Sequence, residues 1–266
     1  MGWFLYCSHS KLRRSAELNV QACFPEKTVL ERDVLTRQVL KEKAKEILEA
    51  PAIWTKPHSK LLSQFKCISG EAALIEDFNK QKGVILLGAH MGAFYLMNAY
   101  VSPKYSGTWL YKPQKGLIEQ LTKNKRDHFG GHFVPTDKVG VMALFRALKL
   151  GGVVGMACDH DGGATGGLFV PFFGLSAWTI GLPARLAYKT QAPTYFLFLE
   201  RLQPGQGFHL HILPVRPEIH HADLLEAATA MNQTLEDCIR QYPSQYDWTY
   251  KRFRRQSEGL LNIYDC

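Results

Sequence analysis

No two cysteines in this 266-residue sequence stand at Cys-x-x-Cys spacing, and no secretory signal peptide heads it. The six cysteines, Cys7, Cys23, Cys67, Cys158, Cys238 and Cys266, are scattered. A zinc ribbon and a disulfide scaffold are therefore excluded, and reduced thiols in a cytosolic compartment are expected. Nothing repeats at a solenoid period, and no RNA-binding aromatic motif is present. Acidic residues are scarce: 24 Asp and Glu face 32 Lys and Arg, leaving a formal charge of +8. That excess favours an acidic partner, whether nucleic acid, an anionic membrane surface, or an acidic substrate or carrier protein. Without a nucleic-acid motif the first ranks last, and no nucleic-acid partner is expected.

A membrane-spanning stretch is missing too. Met1 to Tyr6 is apolar but stops at Ser8, with Lys11, Arg13 and Arg14 behind it, so it suits a shallow membrane foot or a fraying end. Gly162 to Ala184 runs 23 residues without a charge, yet it holds six glycines and two prolines, Pro171 and Pro183. A lipid-facing helix tolerates these poorly, and an apolar loop beside a pocket or a membrane surface is expected instead. With 46% hydrophobic and 21% charged residues the chain is foldable and long enough for one large core. The expected organisation is an N-terminal membrane-proximal segment, 1–27, followed by a single domain, 28–266.

The chain is organised around Gly83 to Tyr95, read GVILLGAHMGAFY. Val84 to Leu87 is an apolar run, β-branched at its start, of the length of a strand buried on both faces, and Gly88 breaks it. His90 then stands beside Gly92 where the strand gives way to a helix, the place where open α/β sheets expose catalytic groups. A neutral imidazole there can act as a general base; the alternative is a partly buried histidine satisfied by a backbone group.

Thr28 and Glu31 form a capping-box pattern, and Leu30, Val34, Val39, Ala44 and Leu48 approximate an apolar stripe, which predicts a helix from Val29 to Ala50 closed by Pro51. Ile68 to Asn79 reads as a strand and turn, Phe94 to Tyr100 as a helix ending before Pro103, and Thr108 to Tyr111 as a strand with Lys112 just past its end. Leu117 to Arg126 and Val139 to Leu150 carry helical spacing. The second of these feeds another buried strand, Val153 to Ala157, which delivers Asp159, His160 and Asp161. This alternation predicts an α/β fold with a mainly parallel or mixed central sheet flanked by helices. His90 and Asp159 meet at one sheet edge if both strands run the same way. Thr194 to Leu199 and Phe208 to Leu213 supply two more strands. His209 and His211 share a face of the latter and could bind a metal, but no third ligand of recognisable spacing accompanies them. A solvated strand face is favoured, with no metal and no cofactor expected. Spacing from Leu224 to Cys238 predicts a last helix reaching Tyr242, ahead of an aromatic and basic tail from Tyr246 to Arg255.

In this order the segments resemble the lipid A biosynthesis acyltransferase family (lauroyl- and myristoyl-type), a branch of the lysophospholipid acyltransferase superfamily. The likeness begins with Leu12-Arg13-Arg14, Asn19, Cys23-Phe24-Pro25 and Glu31-Arg32. Gly88-Ala89-His90-Met91-Gly92 is similar to the family's catalytic His motif and Tyr111-Lys112-Pro113 to its Tyr-Arg-Pro. Arg126 stands where the family has an arginine, and Asp159-His160-Asp161 resembles an Asp-Gln-Asp. Val170 to Gly174 and Ala184-Arg185-Leu186-Ala187 look like its apolar loop and following helix, and Tyr242-Pro243, Gln245-Tyr246, Trp248 and Lys251-Arg252-Phe253 like its C-terminal motif.

The resemblance implies a glycerolipid acyltransferase-like domain that moves a fatty acyl chain from a thioester, on acyl carrier protein or CoA, to a hydroxyl or amine of a lipid or glycolipid acceptor. It implies His90 as base, Asp159 as its architectural support and Arg126 as the holder of an anionic group. Lys112, Asp161 and Arg185 are implied as substrate contacts, and Phe172, Phe173 and Trp178 as an acyl-chain lining. It also implies the cytoplasmic face of a bacterial inner membrane, with an anionic lipid surface as partner. Two features depart from the family. Its Glu or Asp five positions after the histidine is Tyr95 here, uncharged at neutral pH, which leaves Asp159 or Asp161 to serve as the carboxylate. A catalytically silent relative that binds acyl chains or a carrier protein is the alternative. The chain also starts where the family's first membrane helix ends, so the expected attachment is peripheral, through Trp3, Phe4 and Leu5.

Overall fold

A computed structural model describes residues 6, 10–113, 129–163, 166–256 and 262–265, except the side chains of residues 50 and 54. Helix α1 (Lys11–Cys23) starts at Ser10, whose hydroxyl accepts the Arg13 N–H. It adds Ala16, Val20 and Cys23 to one of the two core clusters. Thr28 caps α2 (Val29–Thr55) with both halves of a capping box. This helix runs on through Pro51, and the Thr55 hydroxyl donates back to Pro51 O at 2.9 Å. Its buried face is Leu35, Val39, Leu40 and Ala44, whereas Leu30, Val34 and Leu48 of the expected stripe are exposed.

A short α3 (His58–Leu62) leads to β1 (Phe65–Ser69) and α4 (Glu71–Asn79), the latter a helix where a strand and turn were expected. Burial of Leu74 on its inner side explains why the segment winds up. Strand β2 (Val84–Gly92) follows, then α5 (Phe94–Tyr105), which continues past Pro103, and β3 (Thr108–Tyr111). After residues outside the description come β4 (His132–Pro135), α6 (Lys138–Lys149) and β5 (Val153–Ala157). The uncharged stretch expected as a loop is a hairpin, β6 (Gly167–Phe172) and β7 (Leu175–Ile180), leading into α7 (Leu182–Thr190). Phe173 and Gly174, both at positive φ, form its two-residue turn. Strands β8 (Thr194–Arg201) and β9 (Phe208–Pro214) and helix α8 (Leu224–Gln241) complete the fold.

The central sheet has seven strands in the order β1-β9-β8-β2-β5-β3-β4. Strands β8, β2, β5, β3 and β4 are mutually parallel, and β9 runs against them. Side chains of β2 alternate between two cores: Ile85 and Leu87 pack with α1, α2 and α8, Val84 and Leu86 with α4 and α5. The mixed α/β domain expected from the sequence is thus present, with β2 in the middle of the sheet. Among the described residues no helix is long and apolar enough to cross a membrane, and Cys23, Cys67, Cys158 and Cys238 are free.

The tail that follows α8 is locked to α1 by Asn19, which is fully buried and donates to Trp248 O at 2.7 Å and Tyr250 O at 2.8 Å. Replacing Asn19 with Ala strands one buried and one part-buried carbonyl, and we expect a loss of about 2–4 kcal/mol in chemical denaturation. Wild-type stability in that variant would show that the tail is held by other contacts.

Candidate active site

Strand β2 keeps register with β8 through Gly88 and regains it only at Gly92, so Ala89, His90 and Met91 bulge out of the ladder. Gly92 permits this: its φ is +59, and a Cβ there would stand 2.0 Å from Leu199 O. The lifted segment is taken up by the tail. Met91 bridges Tyr246, and the Asp247 N–H donates to His90 O at 2.9 Å. Asp159, just beyond β5, reaches across from the neighbouring parallel strand. The His90 N–H donates to its Oδ2 at 2.9 Å, and the imidazole Nδ1 lies 3.0 Å from its Oδ1. A single carboxylate therefore fixes both the main chain and the ring of His90.

Burial disfavours a charged Asp159, but the imidazole beside it and the hydrogen bonds from His90 outweigh burial, so the carboxyl titrates well below its usual range. Burial also disfavours a charged His90. The Asp159 carboxylate outweighs this in turn and raises the imidazole above its ordinary value, with smaller help from Asp247 and Glu46. With Nδ1 committed, Nε2 is the nitrogen that can take a proton, and the carboxylate stabilises the imidazolium that results. His160 stacks on His90 with ring centroids 3.8 Å and planes 2° apart, and Tyr250 covers its other face at 4.1 Å. Burial, against the pull of Asp159, pushes His160 down to about 4, so it stays neutral beside its partner.

The other residues expected at the site divide sharply. Tyr95 is 44% exposed and stacks edge-on with Phe94, and it is Asp159 that orients the imidazole. Asp161 is held by Arg254 and Arg255 and sits at about 2, because those guanidiniums outweigh its burial. It is a tie for the tail, not a partner of His90. Phe172 is fully buried, with Arg252 over its ring, and Phe173 is nearly so, packed against Arg240, Phe24 and Trp248. They anchor the hairpin to the core. Trp178 is half-buried on the hairpin's outer face, its N–H donating to Gly163 O at 2.8 Å. Lys112 is exposed at the carboxyl end of β3, on the same sheet edge as His90, and Arg185 is exposed on α7. Arg126 and Trp3, Phe4 and Leu5 lie outside the described residues.

Sequence reasoning missed what covers His90. Glu42, Lys43 and Glu46 of α2 join Arg201 and Asp247 around a cavity at His90 of about 10 Å³, room for one water. Lys43 bridges Glu46 at 3.0 Å and Asp247 at 2.9 Å. No local motif marks these residues, because the contacts join segments some 200 positions apart. Two clusters among the described residues hold three groups able to ligate a metal: His90, Asp159 and His160 here, and Glu200, His209 and His211 elsewhere on the sheet.

The sequence profile described as bacterial lipid A biosynthesis acyltransferase matches residues 1–255. The chain belongs to that family. It is 29% identical over 263 residues to the lipid A biosynthesis lauroyltransferase of Escherichia coli (strain K12), covering 95% of this chain and 83% of that one. The lipid A biosynthesis palmitoleoyltransferase of the same strain is 25% identical over 251 residues, covering 94% and 81%. A lipid A biosynthesis acyltransferase of Haemophilus influenzae is 26% identical over 272 residues, covering 99% and 85%. For an acyltransferase of this family, the dyad geometry makes a definite statement about pH. Replacing Asp159 with Asn removes the counter-charge, so we expect turnover to fall by about 10²- to 10⁴-fold. The acidic limb of kcat/KM should move to lower pH, since His90 then loses its proton more readily. An unchanged profile would remove Asp159 from the dyad.

Proposed function

We propose that this protein transfers a fatty acyl chain from an acyl thioester to a hydroxyl of a lipid A precursor, with His90 as general base. The observation that carries this reading is the double hold of Asp159 on the His90 main chain and ring at the carboxyl edge of the sheet. The acceptor hydroxyl gives its proton to Nε2 as its oxygen attacks the thioester carbonyl. The tetrahedral intermediate then collapses with cleavage of the C–S bond, and the departing thiolate takes the proton back from the imidazolium. Lys112 and Arg126 are the cations proposed to hold anionic groups of donor or acceptor. An acyl carrier protein is the favoured donor over CoA, because a chain of net charge +8 complements an acidic protein.

The cytoplasmic face of the inner membrane is the proposed place of action. Val29, Leu30 and Val34 stand exposed at the start of α2 beside Lys27 and Arg32, an apolar patch with basic neighbours suited to an anionic lipid surface. The outer face of the hairpin adds Phe169, Pro171, Trp178 and Ile180, and the acyl chain is proposed to lie along this face rather than on Phe172 and Phe173. Glu42, Lys43 and Glu46 line the small cavity at His90, and a shift of α2 is proposed to widen it for the acceptor.

A second reading, a silent relative that binds acyl chains or a carrier protein, draws on Tyr95 and on the small cavity at His90. Two variants separate the readings. His90→Ala should reduce transfer from an acyl thioester by at least about 10²-fold, and unchanged turnover would sink the proposal. Tyr95→Glu should leave turnover within about threefold, since Asp159 already fills the carboxylate role; activity arising only in that variant would favour the silent reading.

A further inference from the structure

A second cluster stands on the β8–β9 pair and shares no residue with the His90 site. Glu200 lies directly across from His209 in the antiparallel ladder, and His211 lies across from Phe198, so all three polar side chains share one face of two adjacent strands. His211 Nε2 is 2.8 Å from Glu200 Oε2, His209 Nδ1 is 3.7 Å from the same oxygen, and the two rings are 3.8 Å apart. Their side chains are only 14–22% exposed.

From this arrangement we infer a zinc site formed by Glu200, His209 and His211. Ligands about 2.0–2.2 Å from a tetrahedral zinc stand roughly 3.4 Å apart. The separations of 2.8 and 3.7 Å to the carboxylate oxygen bracket that spacing, and the three ligand atoms lie within 4.8 Å of one another. A second observation points the same way. Ser69 Oγ on β1 lies 3.1 Å from His209 Nε2, placed to accept that nitrogen's proton and leave the lone pair on Nδ1, the nitrogen that faces Glu200. Ligating histidines are held in this manner. His211 is clamped between the rings of Phe198 and Tyr242, at 5.3 and 5.4 Å. Two nitrogens and one carboxylate suit a borderline divalent cation such as zinc, with water completing the shell. The ion would clamp the end of β8 next to Arg201, which lines the cavity at His90.

The test is zinc titration of the full chain, stripped by a chelator and dialysed into metal-free buffer, with bound metal counted by mass spectrometry. We expect one zinc per chain at this cluster. Glu200→Gln and His209→Ala should each weaken binding by more than about 10-fold, and Ser69→Ala by about 10-fold, while His90→Ala leaves it unchanged. Glu200→Gln is isosteric and Ser69→Ala small, so a folding failure of His209→Ala, read by circular dichroism, does not decide the matter. The inference falls if the wild type binds no zinc, if Glu200→Gln binds as the wild type does, or if His90→Ala removes the metal and so places it at His90, Asp159 and His160.

Discussion

One buried carboxylate, Asp159, holds the middle of this molecule together. It accepts the backbone N–H of His90 and faces the ring nitrogen of the same residue, so strand β2 cannot leave its register without losing a charge-assisted contact on both counts. Removing one member of such a pair leaves an unpaired charge or an unsatisfied donor in a dry site, which is far costlier than the pair is stabilising. The parallel arrangement of β2 and β5 is what makes the meeting possible, since both strands deliver their following residues to the same edge.

The rest of the chain is arranged to keep that edge in place. The bulge that frees His90 needs Gly92, and the backbone groups it releases are met by the tail at Tyr246 and Asp247. The tail in turn is fixed by Asn19 from α1, by Arg254 and Arg255 on Asp161, and by Arg252, which donates to Trp178 O and Thr179 Oγ1 at 2.7 Å. Residues from both ends of the sequence therefore converge on a histidine near its first third. The basic and aromatic composition of the tail serves packing before it serves any surface.

Where single side chains carried a strong local pattern, the structure was legible in advance. Buried strands β2 and β5 are continuous apolar runs and both start where the sequence places them; β5 ends as expected before Asp159, whereas β2 runs on through Gly88, expected to break it, and carries His90 before ending at Gly92. Proline misled twice: α2 and α5 run through Pro51 and Pro103 near their last turns, where few backbone bonds remain to be lost. The hairpin was hidden because its turn is Phe173-Gly174 in place of an Asn-Gly pair. The burial of Phe172 and Phe173 in the core was not legible, because hydrophobicity cannot tell a core anchor from a channel wall. Glu200 escaped as a companion of His209 and His211 since it is contributed by the strand across the hairpin, beyond any fixed spacing.

The dyad can be examined without substrate by following the imidazole nitrogens of His90 in a pH titration by nitrogen-15 NMR. The arrangement described here demands an Nδ1–H tautomer facing Asp159 and a midpoint above that of an ordinary histidine. An Nε2–H tautomer, or a midpoint at or below the ordinary value, would contradict it.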